Sequence, residues 1–230
     1  LNQLFDEKAS SYDSWYETDA GRVVDRIERE ALYSYMEPRA GMKVLDVGCG
    51  TGIYALDLAG KGLDITGVDI SVPMLEQARA KAAETGLEAS FLEADACKLP
   101  FNDDSFDAVL SVTALEFVPD LAAALREAFR VLKTGGRLVV GLIGRDSAWW
   151  RLYDEKSRRE PDNIFNHARF YTLDELLAAM PGRNVQGKAV LFVPPDFDFS
   201  REECVLSMEA AAARTNNRTD GGFICAASVK

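Results

Sequence analysis

The sequence predicts an α/β protein built on a doubly wound, mostly parallel sheet, and three observations carry that prediction. Short apolar segments alternate with helical patterns between residues 44 and 143, the pattern of a sheet covered by helices on both faces. The first of these segments, VLDVGCGTG at 44–52, runs directly into a glycine-dense turn. An amphipathic helix precedes it: in GRVVDRIEREALYSYM, Val23, Val24, Ile27, Ala31, Leu32 and Tyr35 fall on one stripe at helical spacing, and Pro38 with Gly41 ends the run.

The remaining elements follow in order. A strand at 44–47 leads to a helix from Ile53, a strand DITGVD (64–69), a helix from Val72, and strands SFLEAD (90–95) and FDAVLSV (106–112). A helix then begins at Asp120 and reads through DLAAALREAFRVLKTGG, with Leu121, Leu125, Phe129 and Leu132 facing inward, Lys133 in the last turn, and Gly135 and Gly136 available for a left-handed cap. RLVVGLI (137–143) is the next strand. From Gly144 the period is lost over RDSAWWRLYDEKSRREPDNIFNHARFYT, which reads as an insertion over the sheet, before the short helix TLDELLAAM. AVLFVPP and GGFICAASV are two late strands with a helix around EECVLSMEAAAA between them. Residues 1–230 form one domain in this reading: a helical cap (1–40), a ligand-binding core (40–143), then the insertion and late strands (144–230).

Composition narrows the function. A chain of 230 residues that is 47% hydrophobic buries one sizeable core. Its 26 basic and 37 acidic residues give a net charge of −11, which disfavours a broad grip on nucleic acid or an anionic membrane and puts small molecules first among partners. The four cysteines, Cys49, Cys97, Cys204 and Cys225, form no C-x-x-C pair and fit neither a disulfide framework nor a zinc site. With no basic-then-apolar leader pattern and no apolar run near the ~18 residues of a membrane span, a soluble, cytoplasmic protein is expected.

In a doubly wound sheet the ligand lies beyond the carboxyl ends of the strands, where the first turn sits. Gly48, Gly50 and Gly52 let a ligand lie against bare backbone there, and the following helix offers free N–H groups to an anionic group. The order G-C-G-T-G breaks the dinucleotide pattern G-x-G-x-x-G, since Ile53 takes the third glycine's place. Asp69, at the end of the second strand, can accept both hydroxyls of a ribose and would repel a 2′-phosphate. Asp95 is placed to accept from an exocyclic amine, and Ala96 offers a backbone N–H to a ring nitrogen. Together they outline an adenosine cradle.

VLDVGCGTG, GVDIS, EADACKLPF, DDSFDAVLSVTALEFV and FRVLKTGGRLVV occur in that order and resemble successive motifs of the class I S-adenosylmethionine-dependent methyltransferases. The likeness covers roughly residues 40 to 143 and is nearest the branch typified by ubiquinone and menaquinone biosynthesis methyltransferases; FDEKASSYD and HARFYTLDEL are more weakly alike. The resemblance implies a Rossmann-like sheet of seven strands with the last, GGFICAASV, antiparallel. It also implies S-adenosylmethionine as cofactor, no metal, and methyl transfer to a small-molecule acceptor by in-line displacement. Gly48, Gly50 and Thr51 would border the methionine moiety, with Cys49 and Gly52 in the same turn. Asp69 would hold the ribose, Ile70 would pack on the adenine with Met74 in the same cofactor set, and Asp95 with Ala96 would read the adenine edge. Val112 and Thr113 would meet the methionine amino end through backbone, and Tyr12 would close over the cofactor.

Several residues carry two readings. Asp46 either ties down the glycine turn or meets the cofactor, and is placed behind the turn. Cys49 invites a thiol mechanism, but a small side chain in a tight turn explains it without chemistry. His167, the only histidine, is either a structural residue or a substrate contact, and it joins Tyr16 and Glu116 as the candidate substrate-binding set. Glu116 stands where the family often has a histidine, so no catalytic residue is assigned. Trp149 and Trp150 line a pocket or cover a sheet edge. The segments ASSYDSWYE and NHARFY are expected to be mobile covers over the crevice, with Tyr12, Tyr16 and Tyr171 as apolar walls. Two rival functions stand beside methyl transfer: an NAD-dependent oxidoreductase, which lacks the third glycine and a Tyr-x-x-x-Lys pair, and a non-catalytic cofactor-binding module.

Overall fold

A computed structural model describes residues 5–7, 9, 12–214 and 218–230. Strands β1 (Lys43–Val47), β2 (Asp64–Asp69), β3 (Ala89–Glu93), β4 (Phe106–Val112), β5 (Leu132–Ile143), β6 (Arg183–Val190) and β7 (Phe223–Val229) form one sheet in the order β3-β2-β1-β4-β5-β7-β6. The pairs from β3 through β5 are parallel, and β7 is antiparallel to both β5 and β6. The expected sheet is therefore present, including its antiparallel last strand. The chain steps outward from β1 to β3, then returns to β4 on the other side of β1, so the crevice of a doubly wound sheet opens where β1 and β4 end.

Alternation along the strands feeds two cores. Val44, Leu110 and Val139 face helices α1 (Asp19–Met36), α2 (Ile53–Gly60) and α3 (Val72–Thr85), with Leu32, Leu58 and Leu75 packed among them. Leu45, Val109 and Leu138 face α4 (Leu121–Val131) and α6 (Leu173–Ala179). The predicted stripe of α1 is buried except Tyr35, which lies at its margin beside the fully buried Met36. Thr18, Ser71 and Asp120 cap α1, α3 and α4 through their side-chain oxygens, and Thr172 with Glu175 forms a reciprocal capping box on α6.

Four boundaries differ from the sequence reading. Helix α4 stops at Val131, because Leu132 already pairs with Phe106 and the chain bulges before Arg137 pairs with Ala108. Lys133 therefore pairs with Asp107 at 2.7 Å, and Gly135, left-handed at φ 82°, donates its N–H to Lys230 instead of capping a helix. Strand β3 ends at Glu93, leaving Asp95 in the following turn. The strand expected at AVLFVPP is instead β6, whose exposed polar residues suit a sheet edge; the chain leaves the sheet at Leu191, where φ is 65°. The insertion contains a helix, α5 (Ala148–Arg159), which buries Trp149 alone and carries Lys156, Arg158 and Arg159 where cations suit a helix C-terminus. The remaining helix, α7 (Glu202–Ala213), lies where expected.

Gly141 sits in mid-sheet, where an added Cβ would lie 2.1 Å from the Phe223 ring. Gly141→Ala should cost about 1–3 kcal/mol in urea unfolding through overpacking. Gly60→Ala, whose Cβ would meet nothing within 4 Å, should cost nothing.

Candidate active site

The glycine turn is folded onto the end of β2. Gly48 and Cys49 donate their N–H groups to the Val68 carbonyl at 2.8 and 3.0 Å, and Gly50 donates to Asp69 Oδ2 at 2.8 Å. Asp69 Oδ1 accepts from Ser71 N at 2.9 Å, so one carboxylate binds the turn to the start of α3. Gly48, Gly50 and Gly52 have φ of 73°, 51° and 81°, a left-handed run that side chains resist. A Cβ on Gly48 would also strike Ala114 at 2.3 Å, whereas a Cβ on Gly50 would point into open space.

That open space is a pocket that opens to solvent at its mouth. Of the residues singled out from sequence, Tyr12, Tyr16, Gly48, Cys49, Gly50, Asp69, Ile70, Met74, Asp95, Ala96, Val112 and Thr113 line it. Asp95 Oδ1 accepts from Cys97 N at 2.8 Å, and Ile70 is 41% exposed, an apolar side chain at the mouth. Thr113 has φ of 45°, a strained conformation at the end of β4 of the kind found at functional positions.

Six residues named with them lie elsewhere. The Thr51 hydroxyl is turned to Asp13, 2.6 Å away, and Gly52 packs closely on Ala78 and Phe91. Glu116 is 1% exposed; its Oε1 accepts from Ile143 N at 2.8 Å, while Oε2 has no partner among the described residues. His167 is exposed on the short turn Ile164–His167, and Tyr171 is buried against Gly144. Trp149 is buried too, its ring nitrogen donating to the Val193 carbonyl at 2.8 Å, so it packs the sheet edge and does not line the pocket.

The N-terminal cover is fastened. Residues 8, 10 and 11 lie outside the described ones, but Tyr12–Glu17 form a 3-10 turn. Asp13 accepts from both Thr51 and the Lys81 ammonium at 2.6 Å, and Ser71 Oγ donates to Asp6 at 2.6 Å. Ring contacts extend this cover from Phe5 to Phe117, Phe165 and Tyr153, and from Trp15 to Trp149. The pocket's roof thus includes Phe5, Tyr54, Leu115 and Phe117, none of them placed at the site from sequence, although Phe5 lies in FDEKASSYD and Leu115 and Phe117 in DDSFDAVLSVTALEFV. Asp46, placed behind the turn from sequence, also lines the pocket, with Oδ2 buried and without a partner among the described residues.

Burial sets the protonation of the site. It pushes Asp46 up to about 7, helped by the nearby Asp69 charge, and Glu116 also to about 7. Burial raises Asp69 as well, against three backbone N–H bonds that lower it. The Cys49 thiol is pushed well above its ordinary value by burial, leaving it a protonated packing group. Tyr12, hydrogen-bonded to Tyr16 and Thr113, is raised to about 12 by burial. Glu28, on α1, accepts from the Tyr54 hydroxyl at 3.2 Å and is pushed up to about 8, first by burial and then by Asp25.

Residues 45–140 match the family model of a methyltransferase domain. An uncharacterized protein of Methanocaldococcus jannaschii is 33% identical over 194 residues, covering 82% of this chain and 85% of that one. A demethylmenaquinone methyltransferase of Thermus thermophilus is 42% identical over 139 residues, covering 60% of this chain and 63% of its own length. A crystal structure from Thermotoga maritima, described as an S-adenosylmethionine-dependent methyltransferase and possible histamine N-methyltransferase, superposes with a TM-score of 0.76 at 26% identity. It covers 99% of this chain and 98% of that one.

The raised Glu116 makes a pH prediction. Between its ordinary 4.5 and about 7, the folded chain holds a proton that the unfolded chain has lost, so stability falls as pH rises through that window. Glu116→Gln keeps an acceptor for Ile143 N and removes this dependence. Its urea midpoint should exceed the wild-type value at about pH 8 and match or fall below it at about pH 5. An equal difference at both pH values would contradict the assignment.

Proposed function

The chain belongs to the class I S-adenosylmethionine-dependent methyltransferases, with S-adenosylmethionine as cofactor, and we propose that it moves the methyl group to a small organic acceptor by in-line displacement. The observation that carries this reading is that one pocket joins a ribose-sized carboxylate site at Asp69 to a tyrosine-walled space under Tyr12 and Tyr16. The donor set suits the cofactor. The Asp69 carboxylate keeps acceptor capacity beyond its three backbone bonds, Gly50 presents bare backbone, and Asp46 Oδ2, without a partner among the described residues, can receive an ammonium group.

In this reading Asp69 accepts from the ribose hydroxyls, Asp95 with the Ala96 N–H meets the adenine edge, and Ile70 packs on the ring. Gly48, Gly50, Val112 and Thr113 flank the methionine end. Thr51 acts indirectly, by holding Asp13 and with it the turn that carries Tyr12. When bound, the cofactor supplies a sulfonium-activated methyl group. The chain's own work is then to fix the acceptor in line and keep water out, which the aromatic cover serves. Neither the oxidoreductase nor the non-catalytic reading gains support from the relatives. Their names point to different acceptors, a demethylmenaquinone in one and possibly histamine in another, so the acceptor class rests on the chamber itself.

Asp69→Asn should weaken S-adenosylhomocysteine binding in calorimetry by about 1.5–3 kcal/mol, the range for hydrogen bonds to a charged group. Asparagine keeps one oxygen but sets its NH2 against Gly50 N or Ser71 N, so urea unfolding of the variant, measured alongside, separates a lost ribose contact from a loosened turn. Asp95→Ala should lose less, and nothing against an analogue lacking the adenine amine. Unchanged affinity in Asp69→Asn would remove Asp69 from the ribose contact.

A further inference from the structure

Tyr12 and Tyr16, which line the pocket, stand on the turn Tyr12–Glu17, and that turn is mounted at two points. Its rear is set on the start of α1. The Trp15 carbonyl accepts from Thr18 N at 3.1 Å and from Thr18 Oγ1 at 2.7 Å, and Arg22 Nη1 donates to the Glu17 carbonyl at 2.6 Å. A Cβ on Gly21 would lie 1.9 Å from the Trp15 carbonyl oxygen, so the helix receives the turn on a bare α-carbon.

The front of the turn is held by one side chain. Asp13 Oδ1 accepts from the Thr51 hydroxyl and Oδ2 from the Lys81 ammonium, each at 2.6 Å. Thr51 is 1% exposed and follows Gly50 of the pocket floor, Lys81 stands on α3, and Asp13 follows Tyr12 of the roof. A single carboxylate therefore sets roof against floor at the end of the pocket assigned above to the methionine moiety. Short charge-assisted bonds make this mount firm. The Lys81 and Asp13 side chains are still 26% and 37% exposed, so water can replace each partner and the mount can open. Opening it frees the Tyr12 end of the turn and leaves the Trp15 and Glu17 bonds to α1 in place.

We propose that Asp13 is a latch: closed on Thr51 and Lys81 it positions Tyr12 over the methionine end of the cofactor, and its parting gates the release of S-adenosylhomocysteine. This rests on the methyl-transfer reading above and adds to it how the site opens and shuts. Asp13 lies outside the pocket lining and acts through Tyr12, as a positioning residue. The start of α1 is the hinge. A closed latch keeps water from the sulfonium carbon and the acceptor in line with it, and an open one lets the spent cofactor go.

The test reads the dissociation rate of S-adenosylhomocysteine by stopped-flow displacement, and amide hydrogen exchange over Tyr12–Glu17 without ligand. Asp13→Ala should speed dissociation at least about fivefold and speed exchange in that turn. Lys81→Met removes one bond, leaves Thr51 on Asp13, and should give a smaller rise in both. In a Tyr12→Ala background, itself faster to dissociate, Asp13→Ala should add less than about twofold, because the latch works through that tyrosine. A dissociation rate unchanged in Asp13→Ala or in Lys81→Met overturns the proposal, and so do Asp13→Ala and Tyr12→Ala effects that multiply in full. Lys81→Met alters only a partly exposed helix side chain and carries the test even where Asp13→Ala does not fold. Failure of the wild type to bind S-adenosylhomocysteine counts against the proposed function; firm binding with an unaltered release rate in the variants counts against the latch alone.

Discussion

The Asp69 carboxylate closes the glycine turn against the neighbouring strand, receiving Gly50 N on one oxygen and Ser71 N on the other. Three left-handed glycines within five residues would otherwise be a costly stretch to order, and this clamp, with the Val68 carbonyl, fixes it at the point where the sheet reverses direction. The position of everything else follows. Thr51, next in the turn, holds Asp13; Asp13 holds Lys81 and the N-terminal turn; that turn delivers Tyr12 and Tyr16 to the pocket. Floor and roof are thus parts of one hydrogen-bonded unit.

The same burial that makes the floor rigid leaves the site short of positive charge. Asp46, Glu28 and Glu116 all have their pKa values raised, because carboxylates withdrawn from water without a full set of partners are more stable protonated. Such groups destabilise the fold at neutral pH and are retained where a ligand completes them. At Asp46 the completing group proposed above is the cofactor's ammonium.

The half of the pocket built on the glycine turn was legible in the sequence, because backbone geometry dictates it. An apolar strand, glycines where only glycine fits, and acids at strand ends leave a linear signature, and Gly48, Gly50, Asp69 and Asp95 all reached the pocket. The roof was not legible. Tyr54 belongs to an ordinary helical sequence, and Phe117 lies in a motif that does not mark it as a roof residue; only the tertiary fold brings them together. The same limit hid β6, a polar edge strand, and α5, whose single buried tryptophan leaves no stripe to read. At Thr51 and Gly52, motif position pointed to the ligand, while the structure turns them toward the cover and α3. His167, attractive for its chemistry, stands on an exposed turn.

The most direct test of the account is a crystal structure with S-adenosylhomocysteine bound. The ribose hydroxyls should meet Asp69, the adenine should lie between Ile70 and Ala96, and the sulfur should face the space under Tyr12 and Tyr16. A ribose placed away from Asp69, or an adenine lodged beneath the tyrosines with the sulfur turned from them, would contradict it.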